Sequence, residues 1–144
     1  MNNRGLTLVE LLVALVIIML VSAIAIINII STIEKARQKA TMSDMRTISR
    51  ALETYNIDNG YYPRNGLNME ELREVLVPYS SSVLPVEDAW RNPFSYSTNV
   101  VDSYTLISYG KDGIDGDDIS YETRFDFDKD IVMYNGTFMA RPVE

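Results

Sequence analysis

The chain contains neither cysteine nor histidine. Without cysteine there is no disulfide to hold the fold and no thiol nucleophile, and cysteine usage does not reveal the redox compartment. Without histidine the commonest general base and metal ligand near neutral pH is missing, and a Ser–His–Asp triad is excluded. A pair of carboxylates acting as acid and base stays open, although no spacing specifies one. Both absences therefore argue against an enzyme.

Basic residues are also in short supply. The 144 residues include 13 Lys and Arg against 20 Asp and Glu, which gives a formal net charge of −7. Binding to phosphate backbones requires a concentrated basic surface. Nucleic acid is therefore not expected as the main partner.

A long stretch without charge dominates the start of the chain. No charged residue occurs between Leu11 and Ile33, and Glu10 stands at the near edge of this run. At about 1.5 Å per residue, such a helix crosses a hydrocarbon layer of about 30 Å. A carboxylate at its edge costs several kcal/mol unless it is paired or reaches the interface. We therefore predict a membrane helix whose one acid must meet a partner.

The apolar run is too long for an ordinary secretory signal, whose apolar core has about 7–15 residues. A cut before the run, after Gly5, would instead leave the whole helix in the mature protein. It would also create a free amine at Leu6, a cation able to pair with Glu10 of a neighbouring copy. A plain signal anchor with a chance glutamate is the alternative.

The rest of the chain predicts a small globular domain. An amphipathic stripe with spacings of three and four continues the first helix from Glu34, and Asn59-Gly60 ends it, so we expect one helix from about Leu6 to Asp58. A capping-box spacing between Asn68 and Glu71 predicts a short second helix. The domains predicted are residues 1–5 as leader, 6–33 as membrane or filament-core helix, and 34–144 as globular domain.

Alternating apolar residues then predict an antiparallel sheet. The clearest strand is Tyr104–Tyr109, preceded by a possible hairpin turn at Asp102-Ser103, and a second strand is expected over Arg124–Asp128. A closing hairpin is predicted over residues 131–140, because Asn135-Gly136 is a strong two-residue turn signal. The predicted fold is α+β, with a long N-terminal helix packed on a small antiparallel sheet.

The N-terminal residues resemble a known family. Arg4-Gly5, then Leu6-Thr-Leu-Val-Glu10 and the apolar run are similar to the class III signal of type IV pilins and pseudopilins. This resemblance implies cleavage by a prepilin peptidase after Gly5, N-methylation of Leu6, and guidance of assembly by Glu10. Leu6 stands where the family more often has phenylalanine.

Later blocks are similar to the major pseudopilin of type II secretion systems, namely Ala51–Tyr55, Asp58–Gly60, Asp88–Phe94 and Ser108–Gly113. Near the tryptophan, Ala89 and Arg91 replace the family's usual proline and glycine. The resemblance implies a type IV pilin-like fold and a structural filament subunit, not an enzyme.

The same resemblance implies where the protein acts and with which partners. The expected partners are other copies of the chain, minor pseudopilins and an assembly platform in the inner membrane. The expected location is a single pass through the inner membrane with a periplasmic C-terminal domain, and the filament lies in the periplasm or at the cell surface.

An acidic stretch near the C-terminus suggests a cation site. Between residues 112 and 130 there are eight acids, Asp112, Asp115, Asp117, Asp118, Glu122, Asp126, Asp128 and Asp130. Oxygen ligands in a glycine-containing loop suit Ca²⁺, but the spacing is not that of an EF-hand, so a solvated acidic loop is the alternative.

The family resemblance implies one Ca²⁺ in this loop. Its ligands would be Asp112, either Asp117 or Asp118, and the main-chain carbonyls of Tyr109 and Ile114. The later acids Asp126, Asp128 and Asp130 are expected on the solvated face of a strand.

Three other functions share some of these features. A major type IV pilin of a surface pilus, serving adhesion, motility or DNA uptake, shares the N-terminus. A DNA-binding minor pilin would need an exposed basic strip, which this acidic sequence does not display. An anchored enzyme would need a catalytic pair.

Overall fold

The computed structural model describes residues 7–80, 83–99, 101–116 and 127–140, without the side chains of residues 24–28 and 140. The predicted processing residues Gly5 and Leu6, and the predicted metal ligands Asp117 and Asp118, lie outside these ranges. The chain divides into two units, residues 1–35 and 36–144. Each is described separately below.

The first element is the long helix α1, Leu8–Asn59. Within the first unit it begins directly after Thr7, and from Leu8 to Leu20 its large apolar side chains are exposed. It ends in the second unit at Gly60, which adopts a φ of 80° and donates its N–H to the Asn56 carbonyl oxygen at 2.7 Å. A glycine reaches this left-handed conformation without a steric penalty, so the predicted helix stop is confirmed.

The second helix, α2, spans Met69–Leu76 and is followed by a 3₁₀ turn, Val77–Tyr79. The Asn68 side chain accepts the Glu71 N–H, and the Glu71 carboxylate accepts the Asn68 N–H, at 2.9 and 3.0 Å. Both halves of the predicted capping box are therefore present. Met69, Leu72 and Leu76 form the buried face of this helix.

Four antiparallel strands form one sheet in the order β1-β2-β3-β4. Their bounds are Ser95–Thr98 for β1, Tyr104–Ser108 for β2, Ile131–Tyr134 for β3 and Thr137–Ala140 for β4. In the register of the central pair, Leu106 faces Met133 and Ser108 faces Ile131. The α+β class with a long N-terminal helix and a small antiparallel sheet is confirmed.

The closing hairpin matches its prediction. Asn135 and Gly136 have φ values of 44° and 75°, which is the pair of left-handed residues that a type I′ turn requires. The Asn135 side chain also accepts the Tyr104 N–H at 2.9 Å, so the turn is tied to β2.

The described residues differ from two predictions about the other strands. The turn before β2 is longer than Asp102-Ser103, because the Asn99 side chain accepts the N–H groups of both of those residues. Of the strand predicted over Arg124–Asp128, Phe127 and Asp128 lie in a turn, and residues 124–126 lie outside the described ranges.

The core lies between the second half of α1, α2 and the sheet. Met45 and Leu52 of α1 and Leu106 and Met133 of the sheet are fully buried. Tyr104 joins the helix to the sheet, because its hydroxyl lies 2.8 Å from Ser49 Oγ and its ring packs edge-on against Tyr62. This closed core positions the loops described next.

Candidate functional site

Two places carry the residues with predicted roles, and the first is the start of α1. Thr7 donates to Glu10 Oε2 from both its N–H and its hydroxyl, at 2.8 and 2.9 Å. Glu10 N–H in turn donates to Thr7 Oγ at 3.2 Å. Together these bonds form a capping box that satisfies the first N–H groups of the helix.

This cap gives Glu10 a role that the sequence analysis missed. Its carboxylate already serves its own helix, although the Thr-x-x-Glu spacing of residues 7–10 was visible in the sequence. No described residue donates a hydrogen bond to the other carboxylate oxygen, Oε1. Glu10 and Thr7 are both exposed. The predicted pairing with a Leu6 amine stays a prediction, because Leu6 lies outside the described residues.

The apolar side chains that follow Glu10 find little cover within their own unit. Leu12, Val16 and Leu20 are between 47% and 64% exposed. In the described part of the chain, no helix combines the length and the apolar character that crossing a membrane requires.

The second place is the loop after β2, and it rests on a buried carboxylate. Asp88 is only 6% exposed. Its Oδ1 accepts the N–H groups of Trp90 and Asn92, each at 2.9 Å, and its Oδ2 accepts the Ser108 hydroxyl at 2.7 Å. A buried charge is tolerated when it is hydrogen-bonded in this way. Asp88 therefore ties the 88–92 turn to the end of β2.

Asn92 connects the 88–92 turn to the predicted metal loop. Its Nδ2 donates to the Gly110 carbonyl oxygen at 2.7 Å. On the other side of the loop, Lys111 N–H donates to the Phe127 carbonyl oxygen at 2.8 Å. A Cβ atom at Gly110 would lie 2.7 Å from the Lys129 carbonyl oxygen, so only glycine fits this close approach. The start of the loop is therefore held from both sides.

The described metal candidates lie within this supported segment. Asp112 Oδ1 accepts the Ile114 N–H at 3.1 Å, and the Tyr109 carbonyl oxygen accepts the Gly113 N–H at 3.2 Å. Ile114 is 65% exposed. Among the described residues, no group of three or more acidic side chains is placed to hold a metal ion. The calcium site stays a prediction.

Asp130 is where the structure departs from the sequence analysis. It was expected on the solvated face of a strand, but it precedes β3 and is only 8% exposed. Its Oδ2 accepts the Gly116 N–H at 3.3 Å. Desolvation raises its pKa above the ordinary value, and the nearby charges of Asp115 and Asp112 add to the effect.

The tertiary structure therefore places Asp130 where the charges of Asp112 and Asp115 act on it. No local sequence signal marked Asp130, because its burial depends on the Ser108–Ile131 register of β2 and β3. Of the other two acids in its predicted group, Asp128 lies in a turn and Asp126 is outside the described residues.

Comparisons with protein families and solved structures show which known proteins the chain is similar to. The family model for type II secretion system (T2SS) protein G matches residues 28–123, and the model for the prokaryotic N-terminal methylation motif matches residues 1–26. No solved structure matches the chain.

Several curated proteins are similar to the chain over most of its length. The type II secretion system core protein G of Escherichia coli (strain K12) is 32% identical over 132 residues, which cover 83% of this chain and 90% of that protein. The protein of the same name from Pseudomonas aeruginosa is 30% identical over 80% of this chain and 88% of its own length. The corresponding figures for the Vibrio cholerae protein are 28%, 80% and 87%. The chain belongs to the family of type II secretion system protein G.

Proposed function

We propose that this chain is the major structural subunit of a pilus-like filament that drives type II protein secretion. The observation that carries this proposal is the first half of α1, where a methylation motif and a capped glutamate precede a row of exposed apolar side chains. Exposed apolar patches of this extent mark surfaces that contact other molecules. The role needs no catalytic group, which agrees with the absence of histidine and cysteine.

Processing and assembly are the first part of the proposal. Prepilin peptidase cuts after Gly5 and methylates the new amine of Leu6. As subunits leave the membrane, that amine pairs with Glu10 of the next copy, and burial of apolar faces between residues 8 and 33 holds the filament core. Pairing offsets the several kcal/mol that an isolated carboxylate costs in an apolar environment.

Location and partners follow from the same proposal. Before assembly the chain crosses the inner membrane once, through residues 6–33, with residues 34–144 in the periplasm. The support for this is the charge-free sequence between Leu11 and Ile33. Minor pseudopilins and an inner-membrane platform are the proposed assembly partners, and the filament lies in the periplasm or at the cell surface.

The test separates the two roles of Glu10. Glu10→Gln keeps an oxygen that can accept the Thr7 N–H, since glutamine also completes a capping box, but it removes the charge. We expect this variant to be cleaved normally and to form no filaments, as seen by immunoblotting and electron microscopy of sheared cells. Glu10→Val should behave in the same way.

Thr7→Val is the matched control, because it removes the capping hydroxyl and keeps the charge of Glu10. It should assemble. Normal filaments from Glu10→Gln would show that capping is the whole role of Glu10 and would overturn the pairing. Two observations together would support a secretion filament over a surface pilus. The Glu10→Gln variant loses secretion, and wild-type cells carry no long surface fibres.

Calcium binding is the second part of the proposal. The ligands proposed are Asp112, either Asp117 or Asp118, and the carbonyl oxygens of Tyr109 and Ile114. Carboxylate and carbonyl oxygens are the donors that Ca²⁺ prefers. The support is that Asn92 and Phe127 anchor the loop, and that the pKa of Asp130 is raised by desolvation and then by the charges of Asp115 and Asp112. A cation would relieve the repulsion among these acids.

The melting temperature with calcium and then with excess chelator tests the calcium site. Calcium at one hundred times its dissociation constant should add about 2.7 kcal/mol to stability, a visible shift in a domain of this size. Asp112→Ala should abolish the shift, whereas Asp102→Ala, in the β1–β2 loop, should retain it. An unchanged melting temperature in the wild type would mean that the loop is only solvated.

A further inference from the structure

The chain contains three Asn-Gly pairs, at residues 59–60, 65–66 and 135–136. Asn-Gly is the sequence most prone to spontaneous loss of the side-chain amide, because glycine leaves its backbone nitrogen open to approach the asparagine Cγ. All three asparagines are exposed. Exposure therefore does not distinguish the three asparagines. Their hydrogen bonds do distinguish them.

Asn59 is held at both reacting groups. Its Nδ2, which would leave as ammonia, donates to the Tyr55 carbonyl oxygen at 2.9 Å and to the Tyr79 hydroxyl at 3.2 Å. The attacking nitrogen is also occupied, because Gly60 N–H donates to the Asn56 carbonyl oxygen at 2.7 Å. Reaction here requires the last turn of α1 to open first.

Asn135 is held at both ends of its amide. Its Oδ1 accepts the Tyr104 N–H at 2.9 Å, and its Nδ2 donates to the Asp102 carbonyl oxygen at 3.2 Å. The side chain cannot rotate toward Gly136 without losing both bonds, and the left-handed conformation of the hairpin turn holds the backbone as well.

Asn65 differs from both. Its one hydrogen bond among the described residues is the acceptance of the Thr98 N–H by Oδ1, at a long 3.3 Å. That contact polarises the amide carbonyl and points a donor at the oxygen where negative charge develops during attack. No described group binds its Nδ2 or the Gly66 N–H. The surroundings of Gly66 are open, as are those of Gly60, since a Cβ atom placed on either glycine would meet no described heavy atom within 4 Å; the hydrogen bonds therefore make the difference.

We propose that Asn65 is a site of spontaneous deamidation in the native protein, and that the fold protects Asn59 and Asn135. The Gly66 backbone nitrogen loses its proton and attacks Asn65 Cγ, so a C–N bond forms. The Cγ–Nδ2 bond breaks and ammonia leaves with that proton, which closes a succinimide ring. Water then opens the ring at either carbonyl and yields aspartate or isoaspartate. The net change consumes one water and releases one ammonia, with no change of oxidation state.

The product alters the turn between α1 and α2. Either outcome adds one negative charge to a chain whose net charge is already −7. Isoaspartate also lengthens the main chain by one methylene group and displaces the carboxylate from Thr98, so the hydrogen bond between residue 65 and β1 is lost.

The experiment incubates the full-length protein at mildly alkaline pH and follows each Asn-Gly peptide by mass spectrometry, with an isoaspartate-specific methyltransferase as a second readout. We expect Asn65 to react at least about tenfold faster than Asn59 and Asn135, since reaction at those two sites requires local opening. The same incubation in concentrated urea should bring the three rates together, because the protecting hydrogen bonds are gone.

Asn65→Gln is the variant control, because a six-membered ring closes far more slowly. It should remove the Asn65 product from the peptide spectra of the native protein and leave the rates at Asn59 and Asn135 unchanged, both in native buffer and in urea. Isoaspartate from the two Asp-Gly pairs, residues 112–113 and 115–116, also reacts with the methyltransferase, so the signal that remains in this variant is subtracted as background. The proposal is overturned if Asn59 or Asn135 reacts as fast as Asn65 in the native protein, or if Asn65 accelerates in urea as much as they do. The inference does not depend on filament assembly or on calcium.

Discussion

The two halves of α1 have the same secondary structure and opposite surroundings. In the first half, Leu12 is 55% exposed and its apolar neighbours are similarly uncovered, whereas Leu52 in the second half is fully buried. Apolar area removed from water stabilises by about 25 cal/mol per Å². The second half buries this area within its own chain, whereas the first half leaves it exposed within its own unit. One continuous helix therefore contributes to a closed core in its second half and exposes its apolar side chains in its first half.

The largest expected effect tests this contrast directly. Leu52→Ala should lower the free energy of unfolding of the globular unit by about 2–5 kcal/mol, because it leaves a cavity in a closed core. Leu12→Ala removes the same atoms from an exposed site and should change that stability by less than about 0.5 kcal/mol. Urea unfolding followed by fluorescence of Trp90, the one tryptophan, measures both. Equal losses from the two variants would contradict the comparison.

A second pair of variants tests whether the globular unit is also tightly packed where Gly110 passes the Lys129 backbone. Gly110→Ala places a Cβ 2.7 Å from the Lys129 carbonyl oxygen, and these backbone atoms cannot easily move away. We expect a loss of about 1–3 kcal/mol in the free energy of unfolding. Gly66→Ala is the control, since Gly66 has a similar positive φ and open surroundings. If both variants lose the same amount, only backbone conformation matters at Gly110.

A third prediction uses pH to probe the buried hydroxyls that join the elements of the globular unit. Desolvation raises the pKa of Tyr96 from 10.0 to about 12, and its hydroxyl donates to the Pro63 carbonyl oxygen at 2.9 Å. The unfolded chain therefore loses this proton first. The stabilisation is complete below pH 10 and is lost as the pH rises to about 12.

The urea midpoint measured at several alkaline pH values should fall across this window. The Tyr96→Phe variant should show a shallower fall, although Tyr104, whose pKa is also raised by desolvation, contributes to what remains. Identical slopes for the wild type and the variant would contradict the assignment to Tyr96.

The smallest effect concerns a residue that the sequence analysis noted as unusual. Arg91 has a φ of 71°, a conformation that costs a non-glycine residue about 1–2 kcal/mol. Arg91→Gly should therefore raise the free energy of unfolding by about 0.5–1 kcal/mol after the entropic cost of glycine. This change should be the same in a Glu10→Gln background, because Arg91 and Glu10 belong to different units of the chain.

Asn135→Gly provides the contrast at Asn135, the other described non-glycine residue with a positive φ. Asn135 makes two side-chain hydrogen bonds, to the main chain of Tyr104 and Asp102. The substitution should lower the free energy of unfolding by about 1 kcal/mol. A stabilised Asn135→Gly protein would mean that these bonds contribute little.

The elements predicted well from sequence are those with local causes. The capping box of α2, the helix stop at Gly60 and the Asn135-Gly136 turn each depend on residues within a few positions of one another. The predicted turn at Asp102-Ser103 lies in the β1–β2 loop but is longer than two residues, because the Asn99 side chain accepts the N–H groups of both residues. The strand predicted over Arg124–Asp128 does not include Phe127 and Asp128, which lie in a turn, and residues 124–126 lie outside the described ranges.

The candidate loop was only partly predictable. Asp112 and its glycines were visible, but the support from Asp88 and Asn92 was not, because these residues lie 18 to 20 positions from the groups they bind. The same holds for Asp130, which meets Gly116 across 14 positions. Such contacts depend on strand register, and register follows from the packing of the whole sheet.

By itself, the sequence determined the long helix, its glycine stop, the acidic character and the absence of cysteine and histidine, since each is a local or compositional property. Only the tertiary structure decided that Asp88 and Asp130 are buried, that Gly110 passes against the Lys129 backbone, and that Asn65 makes one described side-chain hydrogen bond where Asn59 and Asn135 make two each. These properties arise where segments distant in sequence meet. The packing of the core determines which of these segments become neighbours and can form hydrogen bonds.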